Sequence, residues 1–154
     1  HIHAWSEIAL GGTRFNLILE DDALLDKEFP FRLTKALEEL PPDWDLLFIG
    51  DGAGLHVPSY KLLPGRTVYW KCNERTRWGG MGATRCTDSY LVSRAAARRL
   101  AEWSSVLLKK GGIDLIIDWW LNDVIRSLQL RVYWLEPTIA TQGSENHTFQ
   151  NAYI

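Results

Sequence analysis

The residues Glu20-Asp21-Asp22 follow the apolar run Phe15-Asn16-Leu17-Ile18-Leu19 without a spacer. Three adjacent carboxylates repel one another, and the arrangement becomes favourable when a hard divalent cation supplies positive charge and takes the oxygens as ligands. Mg²⁺ or Mn²⁺ held together with a diphosphate suits such a cluster, because the ion bridges the two phosphates and stabilises charge on a leaving nucleoside diphosphate. The plainer alternative is an acidic cap on a following helix, which the helix dipole favours. Asp114, Asp118 and Asn122 are spaced by four and share a face if a helix begins early. Asp118 is otherwise a helix N-cap, and Asp88, just before another apolar run, is otherwise a turn residue with a local hydrogen bond. Gly50-Asp51-Gly52-Ala53-Gly54 has the wrong spacing for a dinucleotide-binding turn, and Pro58 interrupts the helix that such a turn requires.

These residues need elements to position them. Ile2, Trp5, Ile8 and Ala9 recur at helical spacing, and Gly11-Gly12 ends the pattern, which predicts a short amphipathic helix over 2–10. Residues 15–19 read as a strand buried on both faces, with the carboxylates at its C-terminal end, where open α/β sheets bind ligands. Leu33, Ala36, Leu37 and Leu40 predict a helix over 31–40 that stops at Pro41-Pro42. Strands follow at 45–49, 67–70, 89–92 and 132–135, and helices at 94–103 and 118–128. Residues 50–82 are rich in Gly, Pro and turn formers and read as an irregular, functional loop region. Strands and helices alternate, so the expected class is α/β, with a largely parallel central sheet flanked by helices.

The 154 residues, 46% hydrophobic and 12% aromatic, suffice for one domain, 1–154. Seventeen basic and nineteen acidic side chains give a formal charge of −2, with the basic residues scattered, which argues against a nucleic-acid footprint. No apolar run approaches the roughly 18 residues that span a bilayer. The chain opens on His1 and its only methionine is Met81, so it reads as a fragment whose targeting signal, if any, lies upstream. Cys72 and Cys86 lack CxxC spacing, which argues against zinc and leaves either a disulfide or two thiols.

Six segments in order carry a resemblance: His1 to Trp5; Leu19-Glu20-Asp21-Asp22; Asp43-Trp44-Asp45 to Gly50; Tyr90-Leu91-Val92-Ser93 with Arg94 to Leu100; Ile117-Asp118-Trp119-Trp120-Leu121; and Glu136-Pro137 to Gln142. The chain resembles the family-25 glycosyltransferases, the lipopolysaccharide and procollagen galactosyltransferase-like enzymes of GT-A type, over nearly its whole length. Two departures stand out. Thr87-Asp88-Ser89 occupies the place where the family usually has His-Ala or a similar pair, and the family's first strand and helix, which form much of the uridine pocket, precede the segment present here.

The resemblance implies a GT-A-like fold lacking the N-terminal part of its nucleotide-binding unit. It also implies a metal-dependent transfer of a hexose, galactose favoured, from a nucleotide-diphosphate sugar, UDP-sugar favoured. The acceptor would be a hydroxyl of a glycan, lipid-linked glycan or protein, and transfer would proceed by single displacement with inversion. On this reading Asp22 ligates Mn²⁺ or Mg²⁺, with Glu20 or Asp21 contacting ribose or a metal-bound water, and His147 completes the shell. Asp118 is the expected general base, removing the acceptor proton as the oxygen attacks, and Asp88 is the second candidate. Among the eight tryptophans, Trp78 in Arg77-Trp78-Gly79-Gly80 is expected to close over the donor on a mobile loop, and Trp119 and Trp120 to stack on the acceptor. A cytoplasmic location is favoured, with the secretory-pathway lumen as the alternative. The competing function is a non-catalytic sugar- or nucleotide-binding module of the same fold.

Overall fold

A computed structural model describes residues 1–71, 85–144 and 148. The first helix, α1 (Ile2–Leu10), leads into strands β1 (Phe15–Leu19) and β2 (Ala23–Leu25). Helix α2 (Phe29–Glu39), with Pro30 in its first turn, ends before Pro41 and is followed by β3 (Leu46–Phe48) and β4 (Val68–Trp70). The remaining elements are β5 (Ser89–Ser93), α3 (Arg94–Lys109), α4 (Ile117–Ser127), β6 (Val132–Leu135) and β7 (Ala140–Gln142). Helix α3 starts on a cap, the Ser93 hydroxyl accepting from the Ala96 N–H at 3.1 Å, an interaction that contributes about 1 kcal/mol.

The main sheet has the order β1-β5-β3-β6-β4, and β2 pairs with β7 in a separate two-stranded ribbon. The class is α/β as expected, but the sheet is not largely parallel. Only β3 and β6 run parallel, whereas β1–β5, β3–β5 and β4–β6 are antiparallel. The cause is β5. The units β1-α2-β3 supply two strands of like direction, and β5, arriving from the long connection after β4, inserts between them in the opposite sense. The same order makes β1 an edge strand, with Ile18 buried while Phe15 and Leu19 are 37% and 40% exposed. It is therefore not buried on both faces.

Alternation along the inner strands divides the apolar side chains between two layers. Phe48, Tyr90, Val92 and Trp134 pack with Trp5 of α1, Leu100 of α3 and Leu121 of α4. Leu47, Leu91, Tyr133 and Leu135 point the other way, toward Ala36 and Leu40 beside α2. Glu39, the last residue of α2, fastens that helix to the far edge, its carboxylate accepting from the Thr67 and Val68 N–H groups and the Thr67 hydroxyl. No helix among the described residues is long and apolar enough to cross a membrane.

Leu19 pairs with Ser89, Phe48 with Tyr90, and β6 follows β3 in direction. The C-terminal ends of β1, β3 and β6 and the start of β5 consequently share one end of the sheet. The acidic cluster stands there, as the sequence suggested, although antiparallel pairing was needed to bring Thr87 and Asp88 to it.

Candidate functional site

Glu20 extends the β1–β5 ladder by one step, its N–H donating to the Asp88 carbonyl at 2.8 Å. That bond turns its side chain toward Thr87, whose hydroxyl Oγ1 lies 2.7 Å from Glu20 Oε1 and 2.8 Å from Asp118 Oδ1. Thr87 is fully buried, so its hydroxyl holds the two carboxylates in a fixed relation. One hydroxyl proton serves one carboxylate at a time.

Behind Glu20 runs a chain of donors. The Trp5 indole donates to the Tyr90 hydroxyl at 3.0 Å, and the same hydroxyl lies 3.0 Å from His1 Nδ1. His1 Nε2 lies 3.2 Å from Glu20 Oε1. One ring nitrogen of His1 thus faces the phenol and the other the carboxylate. The imidazole and phenol rings stack with centroids 5.9 Å apart, which fixes the plane of the imidazole.

Asp118 sits in the first turn of α4, and the cap position is Ile116, which offers no side-chain bond. Asp118 is thus not the N-cap. Asp114 precedes the helix and does not share its face in register with Asn122. Trp119 is 39% exposed. Trp120, expected to stack on an acceptor, is instead buried at 5% and stacks on Trp5 with centroids 5.8 Å apart. Helical geometry turns adjacent residues about 100° apart, so only one of the two can face outward.

Asp88 occupies a different environment from its neighbours. It is fully buried, Oδ2 accepts from the Ser89 hydroxyl at 2.7 Å, and buried Oδ1 has no hydrogen-bond partner. Burial pushes its pKa up to about 6; the Ser89 bond and its own backbone N–H oppose the shift, and the Glu20 and Asp51 charges reinforce it. Gly50 closes over this carboxyl so tightly that an added Cβ would stand 2.1 Å from Oδ2.

The acidic turn leads into strand β2, so it does not cap a helix. Asp22 accepts at Oδ2 from the Ser144 hydroxyl, its carbonyl accepts from the Gly143 N–H at 2.8 Å, and its Oδ1 is buried without a partner. Asp21 is exposed. The β2–β7 ribbon thereby brings the segment after Gln142 onto the acidic turn. His147 and Trp78 lie outside the described residues, as does Cys72. Among the described residues no three His, Cys, Asp or Glu side chains converge on a common point.

An ion pair supports the site from below. Arg85, fully buried, pairs with Glu136, donates to the Leu135 carbonyl at 2.8 Å, and lies over the Trp134 ring at 4.4 Å. Glu136 also accepts from the Val57 N–H at 2.9 Å. The pair ties the segment 85–88 to the end of β6 and to the loop after β3, which fixes where Thr87 and Asp88 enter β5.

The structure therefore brings Glu20, Asp118 and Asp88 to one end of the sheet and adds His1, Thr87 and Tyr90, which were not singled out. The signal for Thr87 was available: a strand starting at Ser89 and extended back through Asp88 puts Thr87 and Asp88 on opposite faces. Comparison with known proteins finds no matching family model and no matching curated protein.

Proposed function

We propose that this chain is the core of a metal-dependent glycosyltransferase that moves a hexose from a nucleotide-diphosphate sugar to a hydroxyl of a glycan, lipid-linked glycan or protein. Galactose and a UDP donor are the favoured pair, with inversion by a single displacement. The observation that carries the proposal is the meeting of Glu20 and Asp118 at the Thr87 hydroxyl, at the end of the sheet where Asp22 also stands. Carboxylates held from β1 and α4 at one point suit a reaction with a base on one side and a charged leaving group on the other.

In that reaction Asp118, held at the Thr87 hydroxyl in the first turn of α4, accepts the proton of the acceptor hydroxyl. Trp119, exposed one residue along α4, offers a ring face to the acceptor sugar. Glu20, fixed by His1 and Thr87, holds donor hydroxyls.

The donor set fits a hard divalent ion: Asp22 presents a buried carboxylate oxygen without a partner, and Mn²⁺ or Mg²⁺ takes one or two carboxylates and completes its shell with phosphate oxygens and water. Asp22 would hold the ion, with Glu20 or Asp21 on the ribose or a metal-bound water, and the ion when bound supplies charge neutralisation at the diphosphate.

Incubation with UDP-galactose, Mn²⁺ and a panel of hydroxyl acceptors tests the proposal. Mn²⁺-dependent release of UDP and a β-linked product from the α-linked donor are expected by NMR. Absence of turnover with every donor and acceptor tried removes the transfer reaction, and an α-linked product removes inversion.

A further inference from the structure

At the opposite end of the sheet the β4–β6 edge carries an open aromatic cleft. Val68 pairs with Leu135 and Trp70 with Tyr133, so the pair Trp70–Tyr133 lies toward the end remote from Glu20. These two rings line a cleft of about 720 Å³, together with Glu39, Arg66, Pro41 and Pro64. Trp70 is 57% exposed, and one of its faces is already covered by Tyr133, at 4.4 Å between centroids and 30° between planes. A large aromatic left this open on a folded surface, yet held rigidly from behind, loses little conformational freedom when a ligand covers its other face.

The polar side of the cleft is equally fixed. Arg66 donates through Nε to the Val68 carbonyl at 2.8 Å and lies over the Tyr69 ring. Its two terminal nitrogens make no hydrogen bond among the described residues, so they form a fork in place. The Glu39 clamp on Thr67 and Val68 holds the backbone that carries this fork. Partial burial raises the Glu39 pKa, but the bonds from Thr67 and Val68 and the nearby Arg66 charge outweigh it, keeping the carboxylate ionised below its usual range.

We infer that the Trp70 cleft is a saccharide-binding subsite separate from the reaction centre, taking one pyranose ring on the open face of Trp70 with the Arg66 fork on adjacent ring hydroxyls. A pyranose has an apolar C–H face that stacks on an indole and a rim of hydroxyls that pair with a planar fork. The proline rims at Pro41 and Pro64 give the walls shape without competing donors. The inference does not depend on the transfer reaction, since nothing in the cleft requires metal or nucleotide.

The test is saturation-transfer difference NMR on the wild-type chain without nucleotide or metal, using lactose, cellobiose, chitobiose and digalacturonate as probes at millimolar concentration. At least one probe should receive saturation on one ring face. Trp70→Leu, which keeps an apolar strand residue, should lower that signal about tenfold, Arg66→Ala should lower it as well, and Trp70→Tyr should retain most of it. Asp118→Asn should leave it unchanged, even if no transfer activity is ever found. Silence from all four probes overturns the subsite, and so does a signal undiminished in Trp70→Leu.

Discussion

Glu20 and Asp118 meet at a single hydroxyl: Thr87 Oγ1 stands 2.7 Å from one carboxylate and 2.8 Å from the other. The first closes the end of β1 and the second opens α4, so Thr87 is the point at which two parts of the chain are registered against each other. Replacing Thr87 by Val removes the hydroxyl at nearly constant volume and takes away the donor that stands between the two carboxylates. If Thr87 positions Asp118, turnover should fall about tenfold or more with the acceptor KM raised and the donor KM near normal. Ser in its place should restore most of the rate. Near-normal turnover in Thr87→Val beside a loss in Thr87→Ser would show that the methyl group's packing, and not the hydroxyl, is what matters.

Asp118→Asn separates a base from a residue that merely interacts with the helix dipole. A base lost in this way should lower turnover by about 10²-fold or more with donor binding nearly unchanged. A dipole role predicts otherwise. Neutralising an acidic residue in the first turn of α4 costs about 0.3–1 kcal/mol of stability and leaves the rate alone. Urea unfolding beside a transfer assay distinguishes the two, and near-normal transfer in Asp118→Asn makes Asp88 the next position to replace.

Asp22→Asn addresses the metal. Asn keeps an acceptor for Ser144 and loses the charge, so the unliganded fold should unfold within about 1 kcal/mol of the parent. The rise in Tm produced by Mn²⁺ with UDP should disappear. A Tm rise equal to that of the parent would place the ion elsewhere.

The alternation of apolar positions showed where the elements lie, because it reports on burial, and the helix over Ile2–Leu10 and the strand over Val132–Leu135 were readable for that reason. Strand direction was not readable. Residues 15–19 and 45–49 look alike whether their neighbour runs with or against them, and nothing local in Ser89–Ser93 says that it enters between them. The acidic turn was visible as charge, whereas Thr87 was not, because a threonine becomes a bridge only through the register that brings α4 beside β5. Trp119 and Trp120 differ in fate although they are adjacent, since only the rotation of α4 against Trp5 decides which is buried.

Arg85 and Glu136 were invisible as a pair for the same reason, being joined across the sheet. Removing Arg85 leaves the buried Glu136 carboxylate with His56 at 3.2 Å and the Val57 N–H beside it, so Arg85→Met should cost about 3 kcal/mol in urea unfolding at pH 7. Adding Glu136→Leu should return part of that loss, although the Val57 N–H then lacks its acceptor. A double variant as unstable as the sum of the two single ones would show that the charges do not interact.

Asp88 gives the stability a pH dependence of defined sign. Its carboxyl shifts from the usual 3.8 to about 6 in the folded chain, so between those values the folded state holds a proton that the unfolded state has released. Stability must then fall as pH rises from about 4 and level off above about 6, by roughly 3 kcal/mol for this group. Other carboxylates act in the opposite sense; Glu39, whose pKa is lowered, loses its contribution as the solution is acidified. The comparison that isolates Asp88 is therefore the difference between parent and Asp88→Asn. Asn accepts from Ser89 as Asp does but cannot ionise, so the variant should gain on the parent steadily between pH 4 and 6.5 and by a constant amount beyond. Urea midpoints at half-unit intervals measure the difference, and a difference that does not change across this range would mean that Asp88 is already ionised at pH 4.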